Sequence, residues 1–210
     1  MATEAINTAA RLLLILGGAR SGKSAYGEAL ASQLAGDAPV LYIATATASD
    51  DEMRERIARH RESRPPHWPT AEEPLDPAEA LRTNTAPVVL LDCVTLLVAN
   101  LLLDGASYSD ADEVRVDWPA AEARVDNAIT ELLEAWQAHP ATLLLISNEV
   151  GMGLVPPYPL GRVYRDCLGR VNARLAAAAD TALLMVAGLP IELKALAEAW
   201  QREGVRRFGR

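Results

Sequence analysis

Leu12-Leu13-Leu14-Ile15-Leu16-Gly17-Gly18-Ala19-Arg20-Ser21-Gly22-Lys23-Ser24 runs from an unbroken apolar stretch into a glycine-rich turn and out into a helical pattern. Gly17 to Ser24 satisfies the spacing G-x-x-x-x-G-K-S/T, and a strand before it with a helix after it is the context that gives the spacing mechanical meaning. Glycines let the backbone curl until successive N–H groups point at one phosphate chain. Lys23 then reaches the β- and γ-phosphates, the Ser24 hydroxyl can ligate Mg2+, and the following helix turns its positive end toward the same anion. A chance match in a glycine-rich turn would leave the flanking strand and helix unexplained.

The bulk numbers agree. A chain of 210 residues, 50% apolar and 5% aromatic, implies one domain (1–210) with an aliphatic core, which suits an α/β layer architecture. A formal charge of −8 argues against a nucleic-acid partner, which needs a basic face. An anionic substrate must then be held locally, by a loop of the kind just described. Cys93 and Cys167 lie in apolar segments and read as buried free thiols in a reducing compartment, with one disulfide left open by count. No apolar run reaches membrane-span length, and residues 1–10 read as a loose lead-in without a basic-then-apolar leader, so the expected setting is the cytoplasm.

Outward from the loop, patterning predicts strands at 11–16, 40–44, 88–91, 142–146 and 181–186. Helices are predicted at 23–34, from Asp50 or Asp51 to about Arg61, and at 76–81, 94–103, 120–138, 161–179 and 193–203, with a basic tail to Arg210. The acidic segment 104–117 has no clear pattern. Strands alternating with helices give a mostly parallel central sheet with helices on both faces, and ligands of such sheets bind beyond the carboxyl ends of the strands. The first four strands end at the glycine loop, at Ala44-Thr45, at Asp92 and at Asn148-Glu149. Phosphate-binding, hydroxyl, carboxylate and amide chemistry thus share one edge.

Individual residues carry two readings each. Asp92, after Val-Val-Leu-Leu, occupies the place of a Walker B acid that binds Mg2+ with Ser24, or else caps the next helix. His60 shares a helical stripe with Met53, Ile57 and Arg64. On pattern alone it is a boundary residue, yet a neutral imidazole can attack an α-phosphorus and form a phosphoramidate. Arg59, Arg61 and Arg64 could neutralise the phosphates of that intermediate. Arg20, Arg162 and Arg165 are candidate anion contacts or solvated surface groups, and Glu72 and Glu149 could hold a base or ribose. His67 and His139 read as structural or solvated.

Gly-Gly-Ala-Arg-Ser-Gly-Lys-Ser, Tyr-Ile-Ala-Thr, the segment from Asp51 through His60 and Arg64-Pro to His67-Trp68-Pro-Thr and Glu72, Asn148-Glu149-Val-Gly-Met-Gly, and Arg-Val-Asn172 through Asp180 occur in order. Together they resemble the bifunctional adenosylcobinamide kinase / adenosylcobinamide-phosphate guanylyltransferase family of cobalamin biosynthesis, over roughly Leu12 to Lys194. The resemblance implies a P-loop NTPase fold with a RecA-like sheet, a homotrimer, and Mg2+ with GTP or ATP. It implies two reactions. A nucleoside triphosphate phosphorylates the hydroxyl of the aminopropanol arm of adenosylcobinamide, and GMP from GTP then passes through an enzyme histidine to the cobinamide phosphate. That histidine falls on His60, with Lys23 as the second catalytic group. The nucleotide contacts fall on Gly17, Gly18, Ala19, Arg20, Ser21, Gly22, Lys23 and Ser24, on Ala44, Thr45 and Ala46, on Arg61, Glu62, Ser63 and Arg64, and on Glu72 and Asp92. Two other readings fit the residues: a P-loop kinase of another small alcohol, with His60 structural, and a RecA-like nucleotide-driven assembly module.

Overall fold

The computed structural model describes residues 11–47, 51–62, 64–108 and 114–202. Leu12–Gly17 (β1) leads through the glycine loop into Lys23–Ala35 (α1), which Gly36 closes at φ 59°. Val40–Ala44 (β2), Asp51–Glu62 (α2), Thr70–Glu72 (β3) and Pro77–Arg82 (α3) follow. The Asp76 side chain caps α3 by accepting from the Glu79 N–H. Val88–Asp92 (β4) and Val94–Leu103 (α4) come next, then the short strands Ser107–Tyr108 (β5) and Val114–Arg115 (β6). Trp118–Ala138 (α5), Thr142–Asn148 (β7), Pro159–Ala178 (α6), Thr181–Val186 (β8), Leu189–Glu192 (β9) and Leu193–Arg202 (α7) are the remaining elements among the described residues.

Seven strands form one sheet in the order β3-β2-β4-β7-β1-β8-β9. Every neighbouring pair from β3 to β8 is parallel, and only β9 runs antiparallel. β1 lies between β7 and β8, with Leu14 opposite Leu145 on one side and Ala182 on the other. All six of its residues are buried, which is why its sequence is apolar without alternation. Leu12, Leu14 and Leu16 pack toward the helical layer that holds Leu81, Leu97, Ile129 and Leu168. Leu13 and Ile15 pack with Leu30 and Ala31 of α1. The sheet is therefore covered on both faces, and its first strand runs through the middle of the core.

Three features depart from the expected layout. The sheet has two further strands, because β3 pairs with β2 and a two-residue turn at Ala187-Gly188, both with positive φ, folds β9 back onto β8. β9 is an edge strand, the place where Pro190 is tolerated. The acidic segment contains the antiparallel pair β5–β6. Cys93 and Cys167 are both free thiols as expected, Cys167 buried and Cys93 half-buried. No helix among the described residues is long and apolar enough to cross a membrane.

Candidate functional site

The strand order makes β2, β4, β7 and β1 consecutive, so their carboxyl ends meet as the sequence pattern expects. Ala44 stands opposite Asp92, Asp92 opposite Ile146, and Gly17 opposite Asn148. The glycine loop leaves β1 through positions with little room. A Cβ on Gly17 would come within 2.5 Å of Ser21 Oγ and 2.9 Å of the Met185 carbonyl oxygen, and Gly22 has φ 91°. Arg20 takes the left-handed region at φ 57° in the same loop. Lys23 Nζ donates to the Gly18 carbonyl at 3.2 Å, folding its stem back over the loop. No side chain caps the start of α1. Its first N–H groups and its dipole are thus directed at whatever anion the loop encloses.

Beside the loop opens a cleft of about 560 Å3. Ser24 of α1, Ala44 and Ala46 after β2, Glu72 of β3 and Asp92 of β4 are among its walls. Helix α2 and the turn after it supply the opposite wall through Arg54, Ile57, Ala58, Arg61 and Arg64. Arg61 and Glu72, both expected to touch a nucleotide, form an ion pair with each other. Both are more than half exposed, so the pair is weak enough for an incoming ligand to replace. Of the α2 stripe, Ile57 and Arg64 face the cleft; the side chains of Met53, His60 and Glu62, and Ser63 entirely, lie outside the described residues.

Asp92 is not a helix cap. The N-cap of α4 is Cys93, with no side-chain cap bond, and Asp92 Oδ2 instead accepts from the Tyr42 hydroxyl at 2.9 Å. The guanidinium of Arg64 lies 3.4 Å from the centroid of the same ring. Glu28, one helical turn beyond Ser24, completes the cluster. Burial pushes its carboxyl upward, Asp92 pushes it further, and Arg64 opposes both. Burial, followed by the Asp92 charge, also raises the Tyr42 hydroxyl, which stays a proton donor. The same two causes push the Cys93 thiol to about 11, so a cysteine on the cleft wall is held neutral and is a poor nucleophile.

Other expected contacts have local employment. Thr45 is fully buried and does not line the cleft. Its hydroxyl donates to the Cys93 carbonyl at 2.7 Å and accepts the Cys93 N–H at 2.9 Å, stitching the end of β2 to that of β4. The Glu149 carboxylate accepts the Gly151 N–H, Arg162 donates to the Pro156 and Pro157 carbonyls, and Arg165 pairs with Asp166 at 3.6 Å. These arginines brace their own segment. His139 bonds Asn84 and Ala141 through its two ring nitrogens, a structural role.

The residues missed from sequence are Tyr42, Glu28 and the polar network behind the edge. There Thr95 Oγ1 accepts the Asn148 N–H at 2.6 Å. Asn172 donates to the Asn148 carbonyl at 2.9 Å and accepts from Ser147 Oγ at 2.7 Å. Glu28 was discoverable, since four residues after Ser24 puts it on the same helix face. Tyr42 was not, because an aromatic inside an apolar strand signals core.

The model of the family described as cobinamide kinase / cobinamide phosphate guanyltransferase matches residues 13–193. The bifunctional adenosylcobalamin biosynthesis protein CobU of Escherichia coli (strain K12) is 46% identical over 185 residues, covering 87% of this chain and 99% of that protein. The bifunctional adenosylcobalamin biosynthesis protein CobP of Pseudomonas aeruginosa is 43% identical over 183 residues, covering 86% and 96%. Among solved structures, the flagellar accessory protein FlaH of Methanocaldococcus jannaschii aligns loosely, with a TM-score of 0.40 and 16% identity over 83% of this chain and 70% of that one. Nearly full-length matches to CobU and CobP at such identity leave one assignment: the chain belongs to the cobinamide kinase / cobinamide phosphate guanyltransferase family.

Proposed function

We propose that this chain carries out both reactions of its family as one domain: phosphorylation of the adenosylcobinamide arm by ATP or GTP, then GMP transfer from GTP to give adenosylcobinamide-GDP. The observation that carries the reading is the position of α2. The helix in whose sequence His60 falls lines, through Arg54, Ile57, Ala58 and Arg61, the cleft into which Ser24 and Asp92 open, which supports reading that helix as the source of the nucleophile. In the transfer step the His60 imidazole attacks the α-phosphorus, a P–N bond forms, the bridging P–O bond breaks and pyrophosphate leaves with the electron pair. A phosphate oxygen of the cobinamide phosphate then attacks the same phosphorus and expels the imidazole.

In this reading Lys23 and the loop amides hold the β- and γ-phosphates, Arg61 and Arg64 receive charge on the transferred group, and Glu72 takes the ribose or base. Ser24 and Asp92 are hard oxygen donors on one cleft, the kind of pair that holds Mg2+ with nucleotide phosphates completing the shell. The bound ion would supply charge neutralisation at the phosphates. The protein acts in the cytoplasm as a homotrimer, without nucleic acid or membrane; a light-scattering mass of one chain would overturn the trimer.

Incubation with Mg2+ and GTP labelled at the α-phosphate is expected to leave an acid-labile, alkali-stable label on the protein. Label at the γ-phosphate should leave none, and His60→Ala should abolish the first. Intact protein that takes no α-label overturns guanylyl transfer and leaves a plain kinase.

A further inference from the structure

Tyr42 sits in the middle of β2, 2% exposed, with its edge at the site acid and its face under a site cation. A buried phenol needs a hydrogen-bond partner, and a backbone carbonyl would satisfy it. This one instead donates to Asp92 Oδ2 at 2.9 Å, which fixes the plane of a carboxylate on the cleft wall. The ring face does a second task. Arg64 lies 3.4 Å from its centroid, while Arg64 Nε is buried with no hydrogen-bond partner among the described residues and Nη1 makes a 3.4 Å contact to Thr70 Oγ1. An arginine held by a carboxylate fork has its donors occupied. One held by an aromatic face keeps its charge in place with donors still available.

We propose that Tyr42 is a positioning residue for nucleotide binding, setting Asp92 through its hydroxyl and Arg64 through its ring. The two halves are separable because one needs the oxygen and the other only the ring. The proposal rests on reading Asp92 as the Mg2+ carboxylate and Arg64 as a nucleotide contact. It adds that a residue touching neither phosphate nor metal governs both. A tyrosine that merely filled the core would affect folding, and would not distinguish metal-bound from metal-free nucleotide.

The test is GTP binding to the full-length protein by calorimetry, with saturating Mg2+ and with chelator, alongside thermal melts. Tyr42→Phe keeps the ring and removes the hydroxyl. It is expected to weaken Mg2+-GTP binding about tenfold, as loss of a hydrogen bond to a charged acceptor does, and to raise the Mg2+ concentration needed for half-saturation. Metal-free GTP should bind within about twofold of wild type. Tyr42→Leu should also weaken metal-free binding, and Arg64→Leu added to it should cost little more, since the two share one interaction.

A Tyr42→Phe protein with wild-type Mg2+ dependence overturns the hydroxyl half, and equal losses with and without metal reduce Tyr42 to packing and overturn it too. Fully additive losses for Tyr42→Leu and Arg64→Leu overturn the ring half. Should Tyr42→Leu fail to fold, Tyr42→Trp, which keeps an aromatic face, substitutes for it and must preserve metal-free binding. These readouts are independent of covalent labelling. A wild type that takes no GMP sinks guanylyl transfer and leaves this proposal standing, while a labelled wild type with unaltered binding in Tyr42→Phe and additive losses in Tyr42→Leu and Arg64→Leu sinks this proposal alone.

Discussion

Glu28, behind the wall of the cleft, and Asp92, on that wall, act on one another, with Arg64 as the nearby compensation. Because burial and Asp92 raise the Glu28 carboxyl in the folded protein, folding favours the protonated form. The stability Glu28 contributes is therefore complete below its unfolded value near 4.5 and falls as pH rises through the folded value. Glu28→Gln, neutral at every pH, is expected to melt above wild type at pH 7, with the gap closing toward pH 4. Melting curves across that range check it, and a constant gap would show that the charge is not the cause. At this scale the sequence was informative where a residue ends a buried strand and silent where it lies inside one. Asp92 announced itself after four apolar residues. Tyr42, two positions before the end of its strand, differed from a core residue only in what lies across the sheet from it.

Elements were legible in proportion to their apolar length. β1, β4, β7 and β8 are continuous buried runs, and each was recovered within two residues at either end. β3 is only three residues, two of them exposed, and β9 carries Pro190 and exposed Leu189, so neither resembles a strand by period or propensity. What joins the elements at the site is also invisible from spacing. Thr45 ties β2 to β4 by bonding both backbone groups of Cys93, and Asn100 Nδ2 holds the Thr45 carbonyl at 2.8 Å. Thr45→Val, nearly isosteric, leaves the Cys93 N–H without that partner in a part-buried setting, while the Cys93 carbonyl keeps the Leu97 N–H at 3.2 Å. A loss of about 1–3 kcal/mol is expected for the one orphaned group, read as a lower urea midpoint with unchanged slope. A midpoint within error of wild type would show that the stitch is dispensable.

Across the whole molecule, the carboxyl edge was predictable from the rule that parallel α/β sheets bind ligands there, and the strand order was not, because apolar patterning names strands without naming neighbours. The order matters most at the side away from the cleft. There β9 doubles back on β8, and the Gly188 N–H of its turn donates to the Ser21 carbonyl at 3.0 Å. A Cβ on Gly22 would lie only 3.4 Å from Gly188 Cα, so turn and phosphate loop meet backbone to backbone. The amide proton of Gly188 is consequently a built-in clock for the loop. It can exchange with solvent only when the loop carbonyl lets go, so Mg2+-GTP that stiffens residues 17–24 should slow deuterium uptake in a peptide spanning 186–192 by at least severalfold. Uptake unchanged at saturating nucleotide would uncouple the two. Otherwise, occupancy of the phosphate loop can be timed from an edge strand, with no label on the ligand and no change to the protein.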